Sequence, residues 1–196
     1  MNIEIILFIL VILLICLLFI RTEEDGKERA GKEGAGKEGE ILAGKIIHQY
    51  LNDQDIILNN VEITVHGKET ELDYVVINRN GVFIFEVKNY SGELEGNEDD
   101  EYWSKYKISS GNNEYVKEVR NPIKQVKREI YLLKELLHIY GVYLWIDGYV
   151  LFVNMNSPIE SDYTINDESE IDIILHTKGR QNLNKKQIEK IVNILK

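Results

Sequence analysis

The chain has 196 residues, 44% of them hydrophobic, and a formal net charge of −10. This length fits one domain of ordinary size with an additional segment. A single cysteine excludes a disulfide framework and a cysteine metal site, the scattered histidines give no Ser/His or Cys/His pair for nucleophilic catalysis, and the acidic balance disfavours broad contact with a polyanion.

The N-terminal segment is apolar over a length that suits a bilayer. Ile5 to Ile20 carry no charge, and Ile3 extends the run to residues 3–20, broken only by Glu4. A spanning helix needs about 20 predominantly apolar residues, and the segment lacks the basic start and small-residue cleavage site of a signal peptide. The sequence therefore predicts an uncleaved transmembrane helix at residues 3–20, in contact with the lipid bilayer.

The charges that follow this run predict its orientation. No Lys or Arg precedes it, whereas four follow it closely: Arg21, Lys27, Arg29 and Lys32. The positive-inside rule then places the C-terminal domain of a single-pass cell-membrane protein in the cytoplasm. Residues 21–38 repeat Gly-Lys-Glu every five positions, and this polar, glycine-rich composition is typical of a linker.

Helical periodicity begins at Glu40. Its apolar positions are Ile41, Leu42, Ile46, Ile47, Tyr50 and Leu51. Glu40 would then lie in the first turn, where the helix macrodipole favours an acid. The β-branched run Ile56 to Val65 predicts a strand that follows this helix.

The stretch from Glu71 to Tyr90 predicts a β-hairpin, with Asn80-Gly81 as the turn signal. Val82 to Phe85 is continuously apolar, as in a strand covered on both faces, and two charged residues, Glu86 and Lys88, follow it. The two-residue period of a strand puts both of these side chains on one face.

Asp73 lies on the neighbouring strand, so the hairpin should bring it close to Glu86. Two carboxylates with room for water suit a hard divalent cation such as Mg²⁺. A buried salt bridge between Lys88 and one of the acids would explain the same residues without a metal. The spacing by itself leaves both interpretations open.

The remainder of the chain alternates between strands and helices. Tyr102 to Ile108 mixes aromatic, polar and basic residues, which fits either a solvated strand or a single-stranded nucleic-acid groove. Asn121 and Pro122 begin a helix with an apolar stripe and the most basic stretch of the chain, and Gly141 ends it. Further predicted strands at Tyr149–Asn154 and Ile171–Leu175 and a helix at Lys185–Leu195 complete a three-layer α/β domain.

Several short motifs, in this order, resemble one known family. They are Gly39-Glu40, Glu71-Leu72-Asp73, the run from Phe85 to Gly92, Trp103, and Asn121-Pro122 followed by Gln125. Together they resemble the NERD (nuclease-related) domain of the PD-(D/E)xK nuclease superfamily. The resemblance covers residues 39–137, within a domain that we place at residues 39–196.

The resemblance implies a restriction-endonuclease-like α/β/α domain with a mixed sheet, acting as a nuclease that depends on Mg²⁺ or Mn²⁺. Asp73, Glu86 and the Val87 carbonyl would bind the metal, and Lys88 would assist the reaction. Glu40 and Gln125 would be further catalytic residues. The implied substrate is nucleic acid, with DNA favoured over RNA.

The net charge of −10 keeps two other functions open. One is a non-catalytic, membrane-tethered nucleic-acid-binding or scaffold module that retains the nuclease fold. The other is a domain that binds a phosphorylated small molecule. The sequence gives no indication of oligomeric state.

Overall fold

The computed structural model describes residues 34–90, 92–108, 114–154, 159–177 and 181–196. The chain divides into two units, Met1–Glu38 and Gly39–Lys196. The transmembrane helix predicted at residues 3–20 lies outside the described residues. Within the described ranges, no helix is both long and apolar enough to cross a membrane.

The elements of the fold follow one another along the chain as a mixture of strands and helices. They are α1 (residues 34–49), β1 (Ile56–Val65), β2 (Lys68–Asn78), β3 (Gly81–Lys88), β4 (Glu93–Glu95), β5 (Tyr102–Ile108), β6 (Glu114–Arg120), α2 (Pro122–Ile139), β7 (Ile146–Phe152), β8 (Thr164–Ile165), α3 (Glu170–His176) and α4 (Lys185–Leu195).

The main sheet is mixed and has the strand order β1-β2-β3-β7-β8. Strands β1, β2 and β3 pair antiparallel, whereas β3 pairs parallel to β7 and β7 parallel to β8. As its apolar run predicts, β3 lies at the centre and is buried along almost its whole length. Because β3 and β7 are parallel, their carboxyl ends lie side by side at the same end of the sheet. Glu86 and Lys88 are at this end of β3.

Helices cover both faces of this sheet. On one face, residues of α2 and α4 pack with Val75, Ile77 and Ile84 in one core cluster. On the other face, residues of α1 and α3 pack with Val76, Phe83 and Phe85 in a second cluster. The three layers agree with the predicted α/β class. Because helices cover both faces, the sheet is accessible mainly at the ends of its strands.

A second, three-stranded antiparallel sheet has the order β4-β5-β6. The sequence indicated β5 but not its two partners. Leu94 and Trp103 anchor this sheet in the first core cluster, where the Trp103 ring stacks on Phe152 with the ring centroids 6.3 Å apart. The small sheet is thereby fixed beside the carboxyl end of β7.

The predicted strand at Ile171–Leu175 is wrong, because these residues form most of α3. A strand would place Ile171, Ile173 and Leu175 on the same face, yet Ile171 and Leu175 are buried and Ile173 is exposed. A spacing of four between the buried residues is the helical one. The short strand β8 occupies the sheet edge instead.

Two local predictions need smaller corrections. The turn of the β2–β3 hairpin is Arg79-Asn80 and not Asn80-Gly81, since Gly81 already pairs with Asn78. The Asn78 side chain accepts a hydrogen bond from the Asn80 amide at 2.8 Å, which closes an Asx turn in place of the expected positive-φ pair.

Helix α1 begins before the predicted start. It already includes residues 34–39, so Glu40 does not lie in the first turn, and the macrodipole does not explain this acid. Ile41 and Leu42 are exposed, whereas Ala43, Ile46 and Ile47 form the buried face. The buried apolar face of α1 is therefore narrower than the apolar stripe in the sequence indicated.

Candidate active site

The antiparallel pairing of β2 with β3 brings the first two acids together. The register pairs Tyr74 with Phe85, and its next step places Asp73 opposite Glu86. Asp73 Oδ2 accepts a hydrogen bond of 2.7 Å from the Val87 amide. The two carboxylates predicted from their spacing thus lie side by side at the end of the central strand.

Glu86 is buried, with 1% of its surface exposed. Its Oε1 accepts a hydrogen bond from the Lys88 ammonium, which lies two residues further along the same strand face. Its Oε2 is buried and has no hydrogen-bond partner among the described residues. An unpaired buried oxygen of this kind costs about 1–3 kcal/mol, so the site is not built for stability alone.

Helix α2 supplies two more polar groups to this cluster. Gln125 Oε1 lies 3.1 Å from Lys88 Nζ, and Gln125 Nε2 donates to Glu129 Oε1 at 3.0 Å. Gln125 therefore contacts the ammonium with its carbonyl oxygen and a carboxyl group with its amide. The structure brings the predicted residue Gln125 into the same cluster as Lys88.

Glu129 is a site residue that the sequence analysis missed. It is fully buried, and its Oε2 lacks a hydrogen-bond partner in the described part of the chain. The signal was available: Glu129 lies three residues after Val126 and four before Leu133, both buried, so helical spacing puts it at the apolar face. A glutamate at such a position is rarely fully buried unless it is paired.

Burial and mutual repulsion make these acids weak. Burial, and next the charge of Glu86, raise the pKa of Asp73 to about 7, although the Val87 amide and Lys88 oppose the rise. Burial and the Glu86 charge also raise the pKa of Glu129 to about 9. Burial tends to lower the pKa of Lys88, but the adjacent Glu86 carboxylate outweighs it, and the pKa is raised. Lys88 therefore stays charged beside Glu86, whereas Asp73 and Glu129 hold their protons more tightly than ordinary carboxyl groups do.

Glu40 approaches the same cluster from α1. Its carboxylate makes the smallest of the contributions that raise the pKa of Asp73. The Tyr74 hydroxyl donates to the Glu40 carbonyl at 2.9 Å, and a Cβ at Gly44 would lie 2.5 Å from that hydroxyl. Gly44 thus permits the close packing of α1 on β2 that places Glu40 near Asp73.

These groups fit a divalent cation in their chemistry. Glu86 has an unpaired oxygen, and Asp73, with a pKa of about 7, is only partly ionised at neutral pH, so a cation could replace its proton. The Val87 amide points towards Asp73, and since N–H and C=O of one extended residue point the same way, the Val87 carbonyl faces this side too. No group of three or more His, Cys, Asp or Glu side chains in the described ranges is arranged to hold a metal.

Comparison with known proteins places the chain in a family. An uncharacterized protein of Bacillus anthracis is 35% identical over 65 residues, a segment that covers 31% of this chain and 31% of that protein. No solved structure matches the chain. The family described as NERD, nuclease-related domain, matches residues 35–153, which is more than half of the chain and includes the whole carboxylate cluster. The chain therefore belongs to the NERD (nuclease-related domain) family.

Proposed function

We propose that this chain is a nuclease that hydrolyses phosphodiester bonds in nucleic acid, DNA in preference to RNA, with Mg²⁺ or Mn²⁺ as cofactor. The observation that carries the proposal is the buried Glu86 carboxylate, with one oxygen on Lys88 and the other unpaired, directly beside Asp73. A restriction-endonuclease-like fold is consistent with the mixed sheet and its helices on both faces.

The proposed roles follow from what each group can donate or accept. Asp73, Glu86 and the Val87 carbonyl would hold the metal, whose remaining ligands would be waters and phosphate oxygens. Magnesium in this position would acidify a bound water and neutralise charge on the scissile phosphate.

The other residues act on water and phosphate. Lys88 donates hydrogen bonds and cannot ligate a cation, so its role is to orient the attacking water or to stabilise the phosphate charge in the transition state. Gln125 holds the Lys88 ammonium in place. Glu40 is the third acid near Asp73 and would accept a hydrogen bond from a metal-bound water.

The test is cleavage by the purified protein. Linear duplex, single-stranded and branched DNA and RNA should be offered with Mg²⁺, with Mn²⁺ and with EDTA, and at least one substrate should be cut only when metal is present. Asp73→Asn and Glu86→Gln should abolish cleavage. Lys88→Ala should slow it by about 100-fold or more while calorimetry still detects metal binding. Glu71→Gln is the matched control, because Glu71 is an exposed acid on the same strand.

The competing function is a non-catalytic nucleic-acid-binding or scaffold module. The net charge of −10 favours the scaffold form of this module, since affinity for a polyanion comes mainly from phosphate neutralisation. If calorimetry detects neither Mg²⁺ nor Mn²⁺ binding and every substrate survives, the scaffold function replaces the nuclease function.

We also propose that residues 3–20 anchor the protein in the cell membrane with the folded domain in the cytoplasm. The uncharged run and the basic residues after it support this arrangement. A reporter fused after Lys196 should be active only in the cytoplasm, and labelling of that terminus from outside intact cells would contradict the orientation.

A further inference from the structure

One face of the β5–β6 hairpin is basic. Strand pairing sets Lys105 opposite Lys117 and Lys107 opposite Tyr115. Because side chains alternate along a strand, Lys105 and Lys107 share a face with the buried Trp103, and Tyr106 lies on the other face. We call Lys105, Lys107 and Lys117 the lysine face.

The lysine face adjoins the carboxylate cluster. Lys105 Nζ lies 4.4 Å from the centre of the Tyr90 ring, and Tyr90 follows the end of β3 by two residues. Burial raises the pKa of Tyr90, while the Lys88 charge lowers it and the Glu86 charge raises it. Tyr90 is therefore close to both the lysine face and the charged end of β3.

The three lysines are close enough to repel one another. The pKa of Lys105 is lowered to about 8, first by burial and then by the charges of Lys107 and Lys117. Like charges placed directly opposite across a sheet destabilise the pair. A bound polyanion would relieve this repulsion.

The other basic stretch of the chain lies on α2. Three cations of α2 contact groups of the protein itself: Lys124 binds Glu101, Lys127 binds Glu98, and Arg128 binds the Thr70 hydroxyl and the Glu69 carbonyl. Helix α2 carries the most basic stretch of the sequence, but most of its cations contact loops and strands of the protein itself.

We propose that the lysine face binds the phosphodiester backbone of the nucleic-acid substrate and directs it towards Glu86 and Lys88. The inference rests on the proposed nuclease function and adds the surface that positions the substrate. A chain with a net charge of −10 needs such a local basic surface to approach a polyanion at all.

The test compares two charge-matched double variants of the full chain. Lys107→Gln with Lys117→Gln removes the two more accessible lysines of the face. Lys134→Gln with Lys185→Gln removes two exposed lysines from α2 and α4 and changes the net charge equally.

Binding is measured first, on Glu86→Gln protein in EDTA, with labelled duplex and single-stranded 20-mers over a range of salt concentrations. The lysine-face variant should bind about tenfold more weakly at low salt, and the slope of log K against log salt should fall by about 1.8 for duplex or about 1.4 for single strands. The strand type whose slope falls by its expected amount is the one that the face binds. The control variant should resemble the parent protein.

Cleavage is measured second, on otherwise unaltered protein. The lysine-face variant should raise KM for nucleic acid but leave turnover of the small diester bis(p-nitrophenyl) phosphate unchanged, since that substrate is too short to reach the hairpin. Equal binding by the two double variants would overturn the proposed surface. A salt slope that falls as expected in protein without nuclease activity would support the surface and refute only the nuclease function.

Discussion

Glu86 and Glu129 are buried acids whose hydrogen bonding is incomplete. Each has a buried oxygen with no hydrogen-bond partner among the described residues, and the charge of Glu86 helps to raise the pKa of Glu129. Proteins accept such local costs at functional sites, where a ligand or a reaction needs the groups. At the scale of single residues, these two buried carboxyl oxygens without hydrogen-bond partners are the strongest support for a site at the end of β3.

Replacement of Glu129 tests this electrostatic description. The buried carboxyl has a pKa of about 9, above its ordinary value of 4.5. The folded state therefore binds more protons than the unfolded state between these pH values, and the group's contribution to stability is lost as pH rises through them. Glu129→Gln stays neutral and escapes this loss. Urea denaturation in EDTA should show the free energy of unfolding of the variant rising relative to the wild type between pH 5 and pH 9.

The control for this measurement is Glu71→Gln, which removes an exposed acid from β2. Its free energy of unfolding should differ from the wild type by an almost constant amount over the same pH range. A pH-independent difference for Glu129→Gln would show that Glu129 is ionised in the folded protein.

At the scale of elements, the start of α2 organises the region around the site. Asn121 Oδ1 accepts a 2.9 Å hydrogen bond from the Ile123 amide and so caps the helix. Its Nδ2 donates to three loop carbonyls, those of Asn97, Glu98 and Asp100, at 3.2, 2.9 and 2.8 Å. One buried side chain thus fixes both the loop before β5 and the helix that carries Gln125 and Glu129.

Substitutions of Asn121 should separate these two functions. Asn121→Ser keeps a capping oxygen but loses the amide donor, and we expect a loss of about 1–3 kcal/mol in the free energy of unfolding. Asn121→Asp also keeps the cap, yet it places a carboxylate against three carbonyl oxygens, so the loss at pH 7 should be larger.

Protonation supplies the control for the aspartate variant. Because a protonated carboxyl can donate to one of the three carbonyls, Asn121→Asp should recover stability relative to Asn121→Ser as pH falls from 7 to 4. Chemical denaturation of both variants at the two pH values provides the measurement. Equal losses for the two variants at pH 7 would show that the loop carbonyls do not depend on the amide.

At the scale of the whole molecule, the acidic net charge and the basic surface coexist because they occupy different places. Most of the cations of α2 brace the fold through contacts with loops and strands, whereas the lysine face lies beside the carboxylate cluster. A net charge of −10 keeps a protein soluble and selects against loose binding to polyanions. Under the proposed function, contact with nucleic acid would depend on the geometry of this one surface.

The folded unit should be independent of the N-terminal segment. Both core clusters lie within Gly39–Lys196. A shortened chain that starts at Gly36 should therefore unfold in one cooperative transition, seen alike by circular dichroism and fluorescence. It should stay in the soluble fraction of a cell lysate, whereas the full chain should sediment with membranes. Gradual unfolding of the shortened chain would contradict this prediction.

The sequence by itself determined the features that depend on neighbouring residues. The bounds of β1 and α4, the cap of α2 and the two acids of the β2–β3 hairpin follow from alternation, helical spacing and capping chemistry. The shift of the hairpin turn by one residue lies within the same local rules, because an Asx hydrogen bond replaced a positive-φ turn.

Only the tertiary structure decided what long-range packing controls. The parallel pairing of β3 with β7 joins segments 64 residues apart in the sequence, as in the pair Val82 and Ile146. That packing buried Glu129 beside Glu86, made Ile171–Leu175 a helix on the sheet face and brought the lysine face beside Tyr90. A short apolar run fits a strand or a helix equally well, and a lone acid in a helix fits solvent or core. The neighbours that settle each choice come from distant parts of the chain.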